Sequence, residues 1–126
     1  MADLNHLIVW VRDKAESARF LAGVLGVEPG APWGPFIPVR TANGVTLDFI
    51  DSSDVRAQHY AFLVNDSEFD SGLSWLRRKG VAIYSHPDKS GVDEINTYYG
   101  GRGFYFEEPS GHLLELITRP YGDAPP

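Results

Sequence analysis

The chain contains no cysteine and only one methionine among its 126 residues. Without thiols it can form neither a disulfide, nor a cysteine nucleophile, nor a thiolate metal site. Any metal centre must therefore use imidazole nitrogens and carboxylate oxygens as its ligands. Basic charge is also scarce, since 17 acidic residues outnumber 11 lysines and arginines. Nucleic acids and anionic membranes bind to basic surfaces, so we expect neither as a partner.

Long apolar runs are missing as well. The longest near the N-terminus covers residues 7–11, which is far too short to span a bilayer. No cationic region followed by an apolar core marks a signal peptide, so we expect a cytoplasmic protein. The length suits a single domain over residues 1–126 that buries a real core. We expect its ending, YGDAPP at residues 121–126, to be a frayed tail.

The order of predicted elements repeats along the chain. The first half contains a strand at 4–11, a helix capped by Asp13 and ended by Gly26, a short edge strand at 37–40 and a strand at 45–50. The second half repeats this order, with a strand at 58–64, a helix from its cap Asp66 to Lys79, a strand at 81–85, a loop to residue 101, and a closing hairpin of 102–106 and 112–118. Module one covers about 1–52 and module two about 57–120, which predicts an α+β protein.

The two modules carry matching residues. His6 in NHLIV corresponds to His59 in QHYAF, and Asp48 in TLDFI corresponds to Glu115 in LLELI. A carboxylate within an apolar strand is costly unless it is paired or holds a metal. Two imidazoles and one or two carboxylates that converge would bind a divalent transition metal and leave positions open for substrate.

Each of these residues also has a simpler interpretation. A single strand histidine is more often hydrogen-bonded than metal-bound, and Glu115 could instead pair with Arg40 or Arg102. Asp48 is one methylene shorter than a glutamate, so it could orient a histidine or face solvent. Repetition at equivalent positions in both modules is what favours the metal site.

The motifs LNH, HYAF and GFYFEEPSGHLLEL resemble those of the vicinal oxygen chelate superfamily over roughly residues 4–120. This superfamily includes glyoxalase I, extradiol dioxygenases, fosfomycin-resistance proteins and bleomycin-binding proteins. The resemblance implies two βαβββ modules that form an open, cupped sheet around a divalent ion, which could be Fe, Mn, Zn or Ni. It also implies a homodimer, because members of the superfamily often dimerise.

The resemblance assigns roles to individual residues. His6, His59 and Glu115 match the metal ligands, and Asp48 lies where glyoxalase I has a fourth ligand. If Asp48 is not a ligand, it is the candidate for proton transfer. Tyr105 matches a tyrosine that contacts substrate, although it could equally be a cross-strand packing partner.

Further residues are candidates for binding a substrate. Loop 85–101 is the expected lid, with Tyr98 among the tyrosines lining a cavity. Trp33 and Phe36 would form the opposite wall, although both could be core residues. Arg102 could anchor an anionic group or pair with Glu107.

The resemblance implies a metal-dependent lyase, isomerase or dioxygenase acting on a small substrate with two neighbouring oxygens. The alternative is an antibiotic resistance protein that adds a thiol or water to fosfomycin, or binds a bleomycin-type drug without catalysis. Ile8 stands where the thiol transferases have threonine, and the last arginine, Arg119, falls short of their phosphonate-binding arginine. EINTYYGG lacks the additional histidine of extradiol dioxygenases.

Overall fold

A computed structural model describes residues 1–122 of the chain, which form two units, the first covering Met1–Arg56 and the second beginning at Ala57. The first unit contains, in order, β1 (His6–Val11), α1 (Lys14–Leu25), β2 (Ile37–Arg40) and β3 (Thr46–Asp51). Its three strands form an open sheet in the order β1-β3-β2. β1 and β3 are parallel, whereas β2 and β3 are antiparallel.

The second unit repeats this topology. It contains β4 (His59–Leu63), α2 (Asp66–Arg78), a 3-10 turn (Tyr98–Gly100), β5 (Gly103–Glu107) and β6 (Leu113–Ile117). The sheet order is β4-β6-β5, again with a parallel and an antiparallel pair. The predicted α+β class is confirmed, because each unit is an open three-stranded sheet with one helix.

Alternation along the strands directs one face of each sheet toward apolar packing. In the first unit the buried side chains come from α1 and from alternate strand positions: Val9, Val11, Ala18, Leu21, Ala22, Val24, Val39, Leu47 and Phe49. In the second unit they are Phe62, Phe69, Leu76, Ile83, Phe104, Phe106, Leu114 and Leu116. Phe69 of α2 meets Phe104 of β5 edge to face, with ring centroids 5.1 Å apart.

The two helices begin differently. As predicted, Asp13 caps α1 by accepting a bond from the backbone N–H of Glu16, and Gly26 ends it with φ 71°. The prediction that Asp66 caps α2 is wrong, because the cap is Asn65. Its side chain accepts from the N–H of Glu68, whose carboxylate accepts in turn from the N–H of Asn65. This reciprocal capping box satisfies two backbone donors at once, which Asp66 could not do one residue later.

The predicted strand over 81–85 is reduced to one bridged residue, Tyr84, which exchanges two backbone bonds with Tyr105. The chain then turns, since the N–H of Ser85 bonds to the carbonyl of Gly91 and Lys89 adopts φ 66°. In the first unit, the backbone N–H of Gly30 likewise bonds to an outer strand of the sheet, at the carbonyl of Pro38 in β2. No helix among residues 1–122 is long and apolar enough to cross a membrane.

Candidate metal centre

The strand register makes the two histidine–acid pairs structurally equivalent. Ile8 lies opposite Asp48 in the parallel pair β1/β3, and Ala61 lies opposite Glu115 in β4/β6. In each unit the histidine precedes the residue opposite the acid by two positions, so it shares a sheet face with that acid. The duplication inferred from sequence is therefore present in the backbone pairing.

In the second unit the histidine and the acid are in direct contact. His59 Nε2 lies 3.1 Å from Glu115 Oε1. Glu115 is fully buried, whereas 47% of the His59 side chain is exposed. The pair therefore joins a buried carboxylate to an imidazole that solvent and small molecules can reach.

The hydrogen bonds of His59 determine what can lie between these two groups. Nδ1 is 2.9 Å from the backbone oxygen of Leu113, and a carbonyl only accepts, so Nδ1 carries the ring proton. In the neutral ring, Nε2 then bears a lone pair, and this lone pair faces a carboxylate oxygen of Glu115. Two facing acceptors need a positive species between them, either a proton or a cation. The donor set therefore fits a divalent ion, with the tautomer fixed by the backbone as in many metal-bound histidines.

Two tyrosines surround Glu115. Tyr105 lies directly opposite it in the β5/β6 pair, and its ring stacks on His59 with centroids 5.8 Å apart. Tyr121 donates its hydroxyl to Glu115 Oε2 and lies 3.2 Å from the hydroxyl of Tyr105. Burial raises the pKa of both phenols above its ordinary value, and the bond to Glu115 raises that of Tyr121 further. Both hydroxyls therefore remain protonated donors at neutral pH.

The first unit holds its pair differently. His6 is exposed, and its Nδ1 lies 2.7 Å from Asn5 Oδ1. Asp48 is buried, and the indole N–H of Trp33 points at its Oδ1 from 3.4 Å. Trp33 also packs against Phe36 with ring centroids 4.8 Å apart, and 55% of it is exposed. Trp33 is therefore not a core residue, which was one of its two interpretations.

Two of the three predicted metal ligands, His59 and Glu115, lie together in the second unit, while His6 belongs to the first. Among residues 1–122, no group of three or more histidine, aspartate and glutamate side chains lies close enough to hold a metal ion. The alternative ion pair between Glu115 and Arg102 is not formed, because Arg102 is engaged elsewhere.

Arg102 pairs with acids of α2, so the predicted pairing with Glu107 is wrong. Its guanidinium lies 2.9 Å from a carboxylate oxygen of Asp66 and 2.9 Å from one of Asp70, both on α2. The predicted partner Glu107 pairs instead with Lys89 from the long loop. Arg102 immediately precedes β5, and its planar guanidinium donates to two acids of α2. It therefore links the start of β5 to this helix.

The long loop is anchored by aromatic and polar contacts. The hydroxyl of Tyr98 lies 2.6 Å from His86 Nδ1, and its ring meets that of Tyr121 with centroids 6.2 Å apart. Tyr99 packs closer on Tyr121, at 5.1 Å. Sequence reasoning missed Tyr121 because it placed this residue in a frayed tail. The only signal was an aromatic side chain a few residues beyond the strand that carries Glu115.

Comparison with known proteins identifies relatives over most of the chain. The model of the Glyoxalase/Bleomycin resistance protein/Dioxygenase superfamily matches residues 3–116. The solved structure of "Oxidase ChaP-H2" is 48% identical with a TM-score of 0.95, covering 99% of this chain and 98% of that one. "Glutathione transferase FosA" of Serratia marcescens is 28% identical, covering 92% of this chain and 80% of its own. "Metallothiol transferase FosB" of Staphylococcus epidermidis is 26% identical, covering 91% and 82%.

Proposed function

Since the chain belongs to the Glyoxalase/Bleomycin resistance protein/Dioxygenase superfamily, we propose that it is a metal-dependent oxidase of a small substrate with two neighbouring oxygens. The observation that carries this proposal is the 48% identity to "Oxidase ChaP-H2" over 99% of the chain. The proposed oxidant is dioxygen. The identity to the glutathione and metallothiol transferases is much lower, at 28% and 26%.

We propose His59, Glu115 and His6 as the ligands of a divalent ion, which could be Fe, Mn, Zn or Ni. Two of these three candidate ligand atoms, His59 Nε2 and Glu115 Oε1, lie 3.1 Å apart in the second unit. His6 occupies the equivalent register in the first unit and is the proposed third donor. When bound, the ion would polarise the substrate oxygens as a Lewis acid.

The chain's own residues would then orient the substrate and move its proton. Asp48 is the proposed proton acceptor for a substrate hydroxyl, and the indole N–H of Trp33 holds one of its oxygens. The exposed ring of Trp33 beside this carboxylate favours a flat aromatic substrate. Tyr105 stacks on His59 and restricts rotation of its ring.

The test measures metal content and oxygen consumption on the same preparations. Protein reconstituted separately with Fe(II), Mn(II), Zn(II) and Ni(II) is analysed for bound metal and then assayed with catechols and hydroquinones in an oxygen electrode. We expect stoichiometric binding and oxygen uptake with at least one ion, both lost in His59→Ala. A wild-type protein that binds no divalent ion under any of these conditions contradicts the proposal.

A second candidate is transfer of a thiol to an oxygenated antibiotic of the fosfomycin type, favoured by the similarity to FosA over 92% of this chain. Ile8 counts against it, because this apolar residue lies directly opposite Asp48 where the thiol transferases carry threonine. Loss of free glutathione in the presence of fosfomycin and the same four ions tests this candidate. Thiol loss without oxygen uptake favours transfer over oxidation.

A further inference from the structure

The segment after β6 folds back onto the strand that it leaves. The backbone N–H of Thr118 bonds to the carbonyl of Arg102 at 3.0 Å, which continues the pairing of β6 with β5 beyond Ile117. Three residues later the hydroxyl of Tyr121 reaches Glu115, six positions back in the sequence. The chain therefore brings a hydrogen-bond donor to a carboxylate that is fully buried.

Contacts from two other parts of the second unit hold Tyr121 in this position. Its ring packs on Tyr99 and Tyr98 of the long loop, with centroid separations of 5.1 Å and 6.2 Å. Its hydroxyl lies 3.2 Å from that of Tyr105 on β5. The residue is 43% exposed, yet its polar end points inward to the carboxylate.

The two oxygens of Glu115 consequently have separate partners. Oε1 faces His59 Nε2, and Oε2 accepts from Tyr121. A carboxylate can bind a metal through one oxygen or through both, and a hydrogen bond to one oxygen favours the one-oxygen mode. Groups of this kind orient ligands and affect metal affinity without touching the metal.

We propose that Tyr121 is a positioning residue that holds Glu115 as a one-oxygen metal ligand beside His59. This inference rests on the proposed function, since it assumes that Glu115 binds a divalent ion. It goes further by assigning a role in that site to a residue outside the proposed ligand set.

The test compares two variants that each remove one phenolic hydroxyl from the same aromatic cluster. Tyr121→Phe keeps the ring and removes the donor to Glu115. Tyr99→Phe is the matched control, because Tyr99 packs on the same ring without contacting Glu115. Each protein is titrated with Co(II) in competition with a chromophoric chelator. The visible absorption of the Co(II) complex then reports the ligand geometry, and a thermal melt reports folding.

We expect Tyr121→Phe to weaken Co(II) binding by about 10- to 100-fold, the usual cost of losing a partner of a metal ligand. Its Co(II) absorption bands should shift, while Tyr99→Phe leaves affinity and spectrum unchanged. A chain that ends at Pro120 lacks the same hydroxyl and should reproduce the loss, which covers the case that Tyr121→Phe folds poorly.

Three outcomes would overturn the proposal. Wild-type affinity and spectrum in Tyr121→Phe would show that Glu115 needs no help from this hydroxyl. Equal weakening in Tyr99→Phe would assign the effect to packing of the cluster. If the wild-type protein itself takes up no Co(II), the proposed function fails together with this inference. In the first two cases the wild-type protein still binds metal, so the proposed function survives.

Discussion

The two histidine–acid pairs have the same backbone setting but different side-chain chemistry. In both units the acid lies on a strand parallel to the one that carries the histidine, in the same register. In the second unit Glu115 reaches His59 at 3.1 Å. In the first unit Asp48 accepts from the indole of Trp33, and His6 turns to Asn5.

The difference between glutamate and aspartate explains this contrast. Glu115 has one more methylene, so its carboxylate extends along the sheet face toward the histidine and can serve as a ligand. Asp48 is shorter and is held by a neutral N–H donor instead. We therefore propose that the duplicated scaffold presents one acid for metal binding and one for proton transfer, which the following substitutions test.

The largest expected effect comes from Glu115→Gln. The amide keeps the shape but removes the negative charge beside His59, so we expect loss of stoichiometric uptake of divalent ions and of oxygen consumption. Metal analysis after dialysis and the oxygen electrode measure both. Metal uptake equal to wild type would remove Glu115 from the proposed ligand set.

Asp48→Asn should affect turnover without affecting metal content. Loss of a general base typically slows a reaction by about 10²- to 10⁴-fold, so we expect a fall of that order in kcat. Metal analysis of the same sample is the internal control. If Asp48→Asn instead loses its metal in parallel with Glu115→Gln, Asp48 is a fourth ligand and the contrast between the two units is smaller than we propose.

The helix caps give a smaller contrast in stability. Asp13→Ala and Asn65→Ala should each lower the free energy of unfolding by about 1 kcal/mol. Asp13→Ala should cost more, because it also removes a negative charge from the N-terminus of α1, whereas the backbone N–H of residue 65 can still donate to Glu68 after Asn65→Ala. Urea denaturation followed by circular dichroism measures both. An equal or larger loss in Asn65→Ala would contradict this order.

The smallest expected effect is a loss of stability at alkaline pH. It belongs to the second unit, because all six tyrosines of the chain follow residue 56. Burial raises the pKa of Tyr60, Tyr105 and Tyr121 in the folded protein. The folded state therefore holds these protons more tightly than the unfolded chain does, and stability should fall as pH rises past about 10. Phenolate absorbance at 295 nm should lag behind that of the urea-unfolded chain. Superimposable titrations would contradict these pKa directions.

Several features could be predicted from sequence because local patterns specify them. Strand periodicity and turn residues located the six strands within residues 1–122 to within one or two residues of their bounds, although they also predicted a strand over 81–85 that is not formed, and Asp13 and Gly26 marked the ends of α1. The correspondence of Asp48 with Glu115 followed from the repeat and is borne out by strand register. The cap of α2 was misplaced by one residue because neighbouring Asn65 and Asp66 are both good capping residues.

The sequence by itself determined the duplicated topology, the two histidine–acid pairs and the exclusion of thiolate chemistry, because periodicity and composition act over a few residues at a time. Only the tertiary structure decided that Arg102 binds α2 and that Tyr121 returns to Glu115. Such contacts join residues with no periodic relation in the chain. Their partners depend on which donors and acceptors lie close together once the sheet has formed, and for the buried carboxylate of Glu115 a missing partner would be costly.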